Sequence, residues 1–286
     1  MRRGLRASDH MSELSVAELE NIANKLRLHV VEMTYAAGSG HPGGSLSAAD
    51  FMAALYFRVL RHDPKNPQWE DRDRFVLSKG HVAPVLYATL AESGYFPVED
   101  LLTLRKLGSK LQGHPVRGKV PGVEMSTGSL GQGISMACGI ALAGKMDGKE
   151  YKTYCLLGDG ELQSGQVWEA AMFAHHYGLS NLVAVVDRNR LQISGNTEEV
   201  MGLDPLPEKW KAFGWNVIII NGHSVRQIIE ALEKAGRSKK NPTVIIMNTI
   251  KGKGVSFMEN NPDFHGKACN AEEYEQAVKE LKEVIQ

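Results

Sequence analysis

The spacing of apolar residues predicts a long helix near the N terminus. From Leu19 to Met33 the chain returns to an apolar residue every three or four positions, so these side chains share one face of a helix. Ser15 and Glu18 have the spacing of a capping box, in which a serine hydroxyl and a later glutamate satisfy free backbone N–H groups. Gly38 ends the pattern, as glycine commonly does after a helix.

The next part of the chain is less regular and richer in glycine. Ser47 is predicted to be the N-cap of a second helix that runs to about Leu60. The stretch DRFVLSKGH indicates a short strand that leads into a helix over residues 82 to 93. Residues 99 to 125 form a polar connection with one short helix, and a helix of small residues is predicted over 131 to 145.

The C-terminal half alternates apolar strands with helices. Strands are predicted over residues 152–157, 182–187, 215–220 and 243–249, and helices over 164–177, 225–235 and from 271. Strands that are apolar throughout and alternate with helices are typical of a parallel sheet covered on both faces. We therefore predict an α/β fold, a parallel sheet flanked by helices on both faces, in one domain over residues 11 to 286.

Composition and charge argue against several classes of function. The chain has 286 residues and 33 basic against 33 acidic side chains, with no Lys/Arg run, so we predict no nucleic-acid binding. The cysteines lack C-x-x-C spacing and no apolar stretch reaches the roughly 18 residues of a membrane helix, so a cytoplasmic protein without membrane contact is expected. Residues 1 to 10 carry three arginines and no apolar segment, and we predict a cloning-derived or disordered tail.

Candidate chemistry begins at LLGDGELQSG, where Asp159 stands between Gly158 and Gly160 directly after an apolar strand. A lone Gly-Asp-Gly is also typical of an ordinary turn. Here a helix and a second apolar strand follow, and Asn189 ends that strand, so both side chains are expected at one edge of the sheet. Their oxygens, with the backbone carbonyl of Leu191, suit Mg²⁺, and the glycines let a diphosphate approach the backbone.

Histidines stand near glycines in four predicted loops, as His41, His81, His114 and His265. Each alone is typical of a loop residue, but imidazoles also donate to phosphate and sugar hydroxyls and move protons near neutral pH. The segment GSGHPGG around the first of them also fits the dinucleotide fingerprint G-x-G-x-x-G. A long helix precedes that segment and Pro42 interrupts it, which argues against nicotinamide binding.

A series of motifs runs through residues 15 to 266 in the order found in transketolases. The motifs are GSGHPGGSLS, LSKGHVAPVLYATL, LQGHP, STGSLGQG, GDGELQSGQVWEA and FHG. The stretch from Gly158 to Asn189 also resembles the thiamine diphosphate-binding motif, which begins Gly-Asp-Gly and ends in Asn. The chain therefore resembles the diphosphate-binding half of a transketolase, which implies the thiamine diphosphate-binding fold and the cofactors thiamine diphosphate and Mg²⁺.

The resemblance also implies roles for individual residues. Three histidines would face the sugar as catalytic groups: His41, His114 and His265. A larger set would bind the cofactor, with two of the histidines contacting its diphosphate: His81, Gly128, Leu130, Gly158, Asp159, Gly160, Asn189 and His265. The metal would be ligated by Asp159, Asn189 and the carbonyl of Leu191. The glycines of GSLGQG also have a plainer explanation, since they permit tight helix packing.

The reaction implied by the resemblance is transfer of a two-carbon ketol unit from a ketose phosphate to an aldose phosphate. In transketolases the glutamate that activates the cofactor belongs to a second domain, which this chain does not reach. The chain instead closes on AEEYEQAVKELKEVI, a well-formed amphipathic helix. We therefore expect the N-terminal subunit of a split transketolase, active only with a C-terminal subunit that supplies the pyrimidine-binding and C-terminal domains, as an α2β2 assembly.

Other functions remain open on the sequence. Deoxyxylulose-phosphate synthase shares part of the motif set, although the motif order favours transketolase. The α subunit of a 2-oxo acid dehydrogenase also binds the cofactor diphosphate, and a non-catalytic cofactor-binding subunit would keep the fold but not need both metal ligands. One departure from the family is Ser164, because many transketolases have a glutamate there, in a carboxylate network that links paired active sites.

Overall fold

The computed structural model describes residues 14–286, so the tail predicted at residues 1 to 10 lies outside the described residues. Helix α1 spans Val16–Ala37. The Ser15 hydroxyl accepts from the Glu18 N–H at 3.3 Å, and the Glu18 carboxylate accepts from the Ser15 N–H at 2.7 Å. The capping box predicted from the sequence is therefore confirmed.

The prediction that a second helix starts at Ser47 is wrong. The chain becomes helical earlier, as α2 over Pro42–Ser47, continues as α3 over Ala49–Ala54 and ends in a π-helical turn, Leu55–Val59. Proline suits the first turn of a helix because its φ is fixed and its missing N–H would have no partner there. The Ser47 hydroxyl instead donates to the buried carboxylate of Asp187 at 2.6 Å.

The described residues form the strands β1 Arg74–Leu77, β2 Thr153–Gly158, β3 Leu182–Arg188, β4 Leu191–Gln192, β5 Gly195–Asn196, β6 Asn216–Asn221 and β7 Thr243–Asn248. The four strands predicted in the C-terminal half, now β2, β3, β6 and β7, agree with the structure to within one residue at each end, and β1 lies in the stretch DRFVLSKGH as predicted. The main sheet is parallel throughout, in the order β1-β2-β3-β7-β6. The antiparallel hairpin of β4 and β5 was not predicted, because two-residue strands carry no periodic signal.

The remaining helices follow the sequence prediction with two additions. They are α4 Ala83–Glu92, α5 Gln132–Met146, α6 Gly165–His176, α7 Thr197–Met201, α8 Leu206–Ala212, α9 Val225–Gly236 and α10 Ala271–Val284. Short 3-10 turns lie at Gly80–Val82, Val98–Thr103, Gly160–Gln163 and Pro262–His265. Helices α7 and α8 were missed because they are too short to show a full helical period.

The sheet separates two apolar layers. Leu156 and Val185 pack with residues of α1, α3, α4, α9 and α10 on one face, and Cys155 and Val186 pack with α5, α6 and α8 on the other. Side chains alternate between the faces because successive residues of a strand point in opposite directions. The predicted parallel sheet with helices on both faces is confirmed. None of the helices in residues 14–286 combines the length and the hydropathy needed to cross a membrane.

An ion pair between α1 and α4 makes stability depend on pH. His29 Nε2 lies 2.7 Å from the Glu92 carboxylate, and Nδ1 lies 3.4 Å from Glu32. Burial alone would lower the pKa of His29, but the two carboxylates raise this pKa to about 9. The charged pairing of His29 stabilises the fold in full at pH values below the ordinary histidine pKa of 6.5. This contribution is lost as the pH rises through about 9.

The His29→Gln variant should therefore be destabilised most at low pH. At about pH 6 it should melt below the wild-type protein, and at about pH 10 the two should melt at nearly the same temperature. Thermal unfolding of both proteins at the two pH values measures the difference. A difference in melting temperature that does not change with pH would contradict this role for His29.

Candidate functional site

The carboxyl ends of four neighbouring strands carry the polar side chains of the candidate site. Lys79 follows β1, Asp159 follows β2, Asn189 follows β3 and Lys251 follows β7. Because these strands are parallel and paired in register, their carboxyl ends lie at one edge of the sheet. Asp159 and Asn189 are thus on adjacent strand ends, as the sequence predicted. The two lysines were not among the site residues predicted from the sequence.

Asp159 is 2% exposed and is held by surrounding donors. Its Oδ1 accepts from the Gly160 N–H at 2.8 Å, and its Oδ2 accepts from the Arg190 N–H at 2.6 Å and the Arg188 guanidinium at 3.3 Å. Burial and the neighbouring Asp187 raise the pKa of Asp159. A cation would stabilise the charged form of this carboxylate, and Oδ1 keeps a second lone pair for such a ligand.

The other two predicted metal ligands lie directly after β3. Asn189 is 7% exposed, and its Oδ1 accepts from the Leu191 N–H at 3.1 Å. The Leu191 carbonyl accepts from the Lys251 ammonium at 3.0 Å, so this oxygen already binds a positive group. Within residues 14–286, no group of three or more His, Cys, Asp or Glu side chains is placed to hold a metal ion. The candidate set is instead mixed, with one carboxylate, one amide and one carbonyl, and hard oxygens of this kind fit Mg²⁺.

Lys79 and Asp187 form a buried ion pair that the sequence analysis missed. Lys79 is 1% exposed, and its Nζ donates to Asp187 and, at 3.1 Å, to the Gly44 carbonyl. The hydroxyls of Ser47 and Thr249 donate to the same carboxylate. Burial raises the pKa of Asp187, but Lys79 outweighs burial and the pKa is lowered on balance. The pair fixes α2 and the ends of β1, β3 and β7 around the candidate site.

The structure brings the four predicted histidines together. The ring centroid of His41 lies 5.2 Å from that of His81, 5.6 Å from that of His265 and 6.4 Å from that of His114. The rings of His81 and His265 stack at 5.2 Å. Lys251 connects this histidine cluster to the strand ends, because its Nζ lies 2.7 Å from His265 Nδ1.

Burial and positive neighbours keep the clustered imidazoles neutral. Burial, followed by Arg105, lowers the pKa of His41 to about 4. Burial, followed by Lys251, lowers the pKa of His265 to about 3. Burial also lowers the pKa of His81 well below its ordinary value. Cationic and neutral donors in one cluster suit an anion, whose charge would offset the repulsion among the positive groups.

The glycine-rich loop before α5 packs against the histidine cluster and the turn after β1. A Cβ on Gly128 would lie 3.1 Å from the His114 ring, and a Cβ on Gly80 would lie 2.7 Å from the backbone of Thr127. The buried Thr127 hydroxyl has no hydrogen-bond partner among the described residues. Leu130 is 44% exposed. The unpaired buried hydroxyl fits a loop that contacts a bound molecule.

The segment after β2 places its glycines and Ser164 close to other loops. Gly158 ends β2, and a Cβ on Gly160 would lie 3.3 Å from the side chain of Gln192. Ser164 is the residue before α6 and makes no capping hydrogen bond through its side chain. A Cβ on Gly131 would lie 2.7 Å from the Ser164 hydroxyl, so the serine packs directly against the glycine-rich loop.

Comparisons with known proteins show the family to which this chain is similar. Residues 19–283 match the family described as transketolase, thiamine diphosphate binding domain. The chain is 48% identical to a subunit of the 6-deoxy-6-sulfo-D-fructose transketolase of Clostridium sp., over 95% of this chain and 98% of that protein. It is 47% identical to a subunit of the apulose-4-phosphate transketolase of Phocaeicola vulgatus, over 96% and 97% of the two chains. Human transketolase is 46% identical over 94% of this chain but 42% of its own length.

Solved transketolase structures share the fold. The enzyme from Campylobacter jejuni superposes with a TM-score of 0.89 at 38% identity, over 94% of this chain and 43% of that one. The Pichia stipitis enzyme in complex with sedoheptulose-7-phosphate gives 0.87 at 36% identity, over 94% and 41%. These matches favour transketolase over the synthase and dehydrogenase alternatives. The chain therefore belongs to the transketolase family, as an N-terminal part with the thiamine diphosphate-binding domain.

Proposed function

We propose that this chain is the N-terminal subunit of a two-chain transketolase that transfers a two-carbon ketol unit from a ketose phosphate to an aldose phosphate. The observation that carries the proposal is the convergence of Asp159, Asn189 and the histidine cluster at one edge of the sheet. It is supported by relatives named as transketolase subunits, which the chain matches over nearly their whole length.

In this proposal the chain binds thiamine diphosphate together with Mg²⁺. Asp159, Asn189 and the Leu191 carbonyl would ligate the metal, because they supply the hard oxygens that Mg²⁺ prefers. Lys251 donates to that carbonyl at 3.0 Å, and the second lone pair of the carbonyl oxygen remains for the metal. The Lys251 ammonium would lie beside the site, where a phosphate oxygen is a suitable further acceptor.

The diphosphate would be held by donors from three loops. His81 and His265 stack beside Lys251 and are the proposed side-chain contacts. Gly128 and Leu130 would contact the cofactor from the loop before α5. The glycines on either side of Asp159 would leave room for the phosphates to approach the backbone.

The neutral histidines would handle protons on the sugar. When bound, thiamine diphosphate supplies the nucleophilic carbon that allows a ketose C–C bond to break. His41, His114 and His265 would hold the sugar hydroxyls, and the negative charge of the bound diphosphate would raise their lowered pKa values toward the range in which imidazoles accept and return protons. The Arg105 guanidinium lies 3.5 Å from His41 Nδ1, which leaves Nε2 of His41 for the substrate.

A partner chain would complete the active site. Human transketolase extends well beyond the 42% of its length that this chain matches, and in the family a second domain supplies the glutamate that activates the cofactor. We propose a C-terminal subunit with the pyrimidine-binding and C-terminal domains as that partner. Two exposed aromatic side chains at the end of α6, Phe173 at 37% and Tyr177 at 45% with ring centroids 4.5 Å apart, form an apolar pair suited to a second copy of this chain in an α2β2 assembly.

Native mass spectrometry tests the assembly. The tagged chain would be recovered from its own host with thiamine diphosphate and Mg²⁺ present throughout. We expect a complex that contains this chain and a second chain in equal amounts, with two copies of each. Recovery of the chain only as copies of itself would contradict the two-chain proposal.

A further inference from the structure

The carboxylate of Glu161 joins three loops of the proposed cofactor site. Glu161 lies in the 3-10 turn Gly160–Gln163, directly after the Gly-Asp-Gly sequence, and is 3% exposed. Its Oε1 accepts from the Ser78 hydroxyl at 2.5 Å and from the Gly131 N–H at 2.8 Å. Its Oε2 accepts from the Gly158 N–H at 3.0 Å. One buried side chain therefore links the end of β1, the end of β2 and the loop before α5.

The three hydrogen-bond partners each stand next to residues of the proposed site. Ser78 precedes Lys79, Gly158 precedes Asp159, and Gly131 follows Leu130. Glu161 itself belongs to none of the proposed ligand sets, because both of its oxygens are directed at these donors. Its effect on a bound diphosphate would thus act through the positions of the loops.

Close packing makes the spacing of these loops sensitive to Glu161. A Cβ on Gly133 would lie 2.5 Å from the Ser78 Cα, so the two backbones are in direct contact. Helix α5 begins after Gly131, which has φ of 84° and provides no side-chain cap. The Glu161 carboxylate accepts the N–H of this N-cap residue, one of the free N–H groups at the start of the helix, and places negative charge at the helix N terminus.

We propose that Glu161 is the positioning residue that sets these three loops for diphosphate binding before the cofactor arrives. The inference rests on the proposed function, because it assumes that the loops hold thiamine diphosphate. All three partners are donors, so an ionised carboxylate satisfies them together. A glutamine offers one acceptor oxygen and one NH2 group. The NH2 group is itself a donor, so it would face one of the three donors where the wild-type protein has an acceptor oxygen.

Glu161→Gln tests this role by hydrogen exchange and by calorimetry on the full chain with Mg²⁺ present. Amide exchange over residues 127–133 should become faster, even without cofactor, because the Gly131 N–H or its neighbours lose their fixed acceptor. The affinity for thiamine diphosphate should fall about tenfold or more, as expected when a buried charge-assisted hydrogen bond is lost.

Asp73→Asn is the matched control. Asp73 is 4% exposed and accepts from the Arg61 N–H at 3.0 Å and the Lys152 N–H at 2.8 Å, at the opposite ends of β1 and β2. This buried carboxylate serves stability alone in our account. Asp73→Asn should therefore lower the melting temperature while leaving exchange over residues 127–133 and cofactor affinity near the wild-type values.

Ser78→Ala provides a milder variant that removes one of the three hydrogen bonds. It should speed amide exchange over residues 127–133 and lower the affinity for thiamine diphosphate, both by less than Glu161→Gln does. The Ser78→Ala variant also allows the test if the Glu161→Gln protein does not fold. Wild-type exchange and affinity in both site variants, or equal losses in Asp73→Asn, would overturn the role of Glu161. A reconstituted complex of both chains that binds no thiamine diphosphate would instead overturn the proposed function, while exchange over residues 127–133 would still decide whether Glu161 holds the loop.

Discussion

Replacing Asp159 by alanine should abolish Mg²⁺-dependent binding of thiamine diphosphate, so that the affinity falls by at least about a hundredfold. Replacing a residue that only supports a metal ligand already lowers metal affinity by up to about that factor. Asp159 is the one anionic side chain in the proposed metal set, and the other two ligands are neutral oxygens. It is also 2% exposed, so water cannot easily replace it. Calorimetric titration of the chain with thiamine diphosphate, with and without Mg²⁺, measures the effect.

Asp204→Asn is a suitable control for this experiment. Asp204 lies 3.3 Å from the same Arg188 guanidinium that contacts Asp159, but its side chain is 46% exposed and belongs to no proposed ligand set. Its loss should leave the affinity close to that of the wild-type chain. Unchanged affinity in Asp159→Ala would reject the metal assignment.

Replacing His265 by alanine should lower ketol transfer by the reconstituted complex about a hundredfold or more, the usual range for loss of a proton-transfer group. The ring stacks on His81 and approaches Lys251 within 2.7 Å, so it lies between the histidine cluster and the strand ends. The melting temperature should change much less than the activity, because His265 is only half-buried and ends a short 3-10 turn.

His175→Ala separates this effect from a general effect of removing a histidine. His175 is exposed on α6. Among the residues that the structure describes, it makes no hydrogen bond or ring contact with the histidine cluster. Its removal should leave turnover and melting temperature near the wild-type values. Equal activity of His265→Ala and the wild-type protein in the reconstituted complex would count against the catalytic role.

The strand ends could be predicted from sequence because their signals are local. An apolar run followed by Gly-Asp-Gly, a helix, a second apolar run and Asn places Asp159 and Asn189 on adjacent parallel strands, and β2 and β3 pair accordingly. The capping box of α1 is equally local, since its two side chains stand three residues apart. In such cases the residues that interact are also the residues that form the pattern.

The partners that the sequence did not reveal are separated by long stretches of chain. Lys79 and Asp187 are 108 residues apart, and Glu161 and Ser78 are 83 apart, so no periodicity relates them. Lys79 lay within a recognised motif, but a lysine after a strand is usually solvated, and only the structure shows that it is buried. Polar residues at the ends of several strands are therefore best considered together once a parallel sheet is predicted.

The start of α2 illustrates a different limit. Ser47 has the residue type of an N-cap, yet the helix begins at Pro42, where a fixed φ and a missing N–H suit the first turn. The glycines that follow Pro42 would normally weaken a helix, which is why the prediction placed the start after them. Their lack of side chains allows close approach instead, because a Cβ on Gly43 would lie 2.8 Å from the Phe264 carbonyl.

The measurement that tests the central claim most directly is ketol transfer by the complex recovered through this chain, compared with the chain alone. Donors would include apulose 4-phosphate, 6-deoxy-6-sulfo-D-fructose and a common ketose phosphate, each with an aldose phosphate acceptor, thiamine diphosphate and Mg²⁺. Our account predicts two-carbon transfer from at least one donor by the complex and none by the chain alone. A complex that contains both chains and bound cofactor, yet transfers no two-carbon unit from any donor, would contradict it.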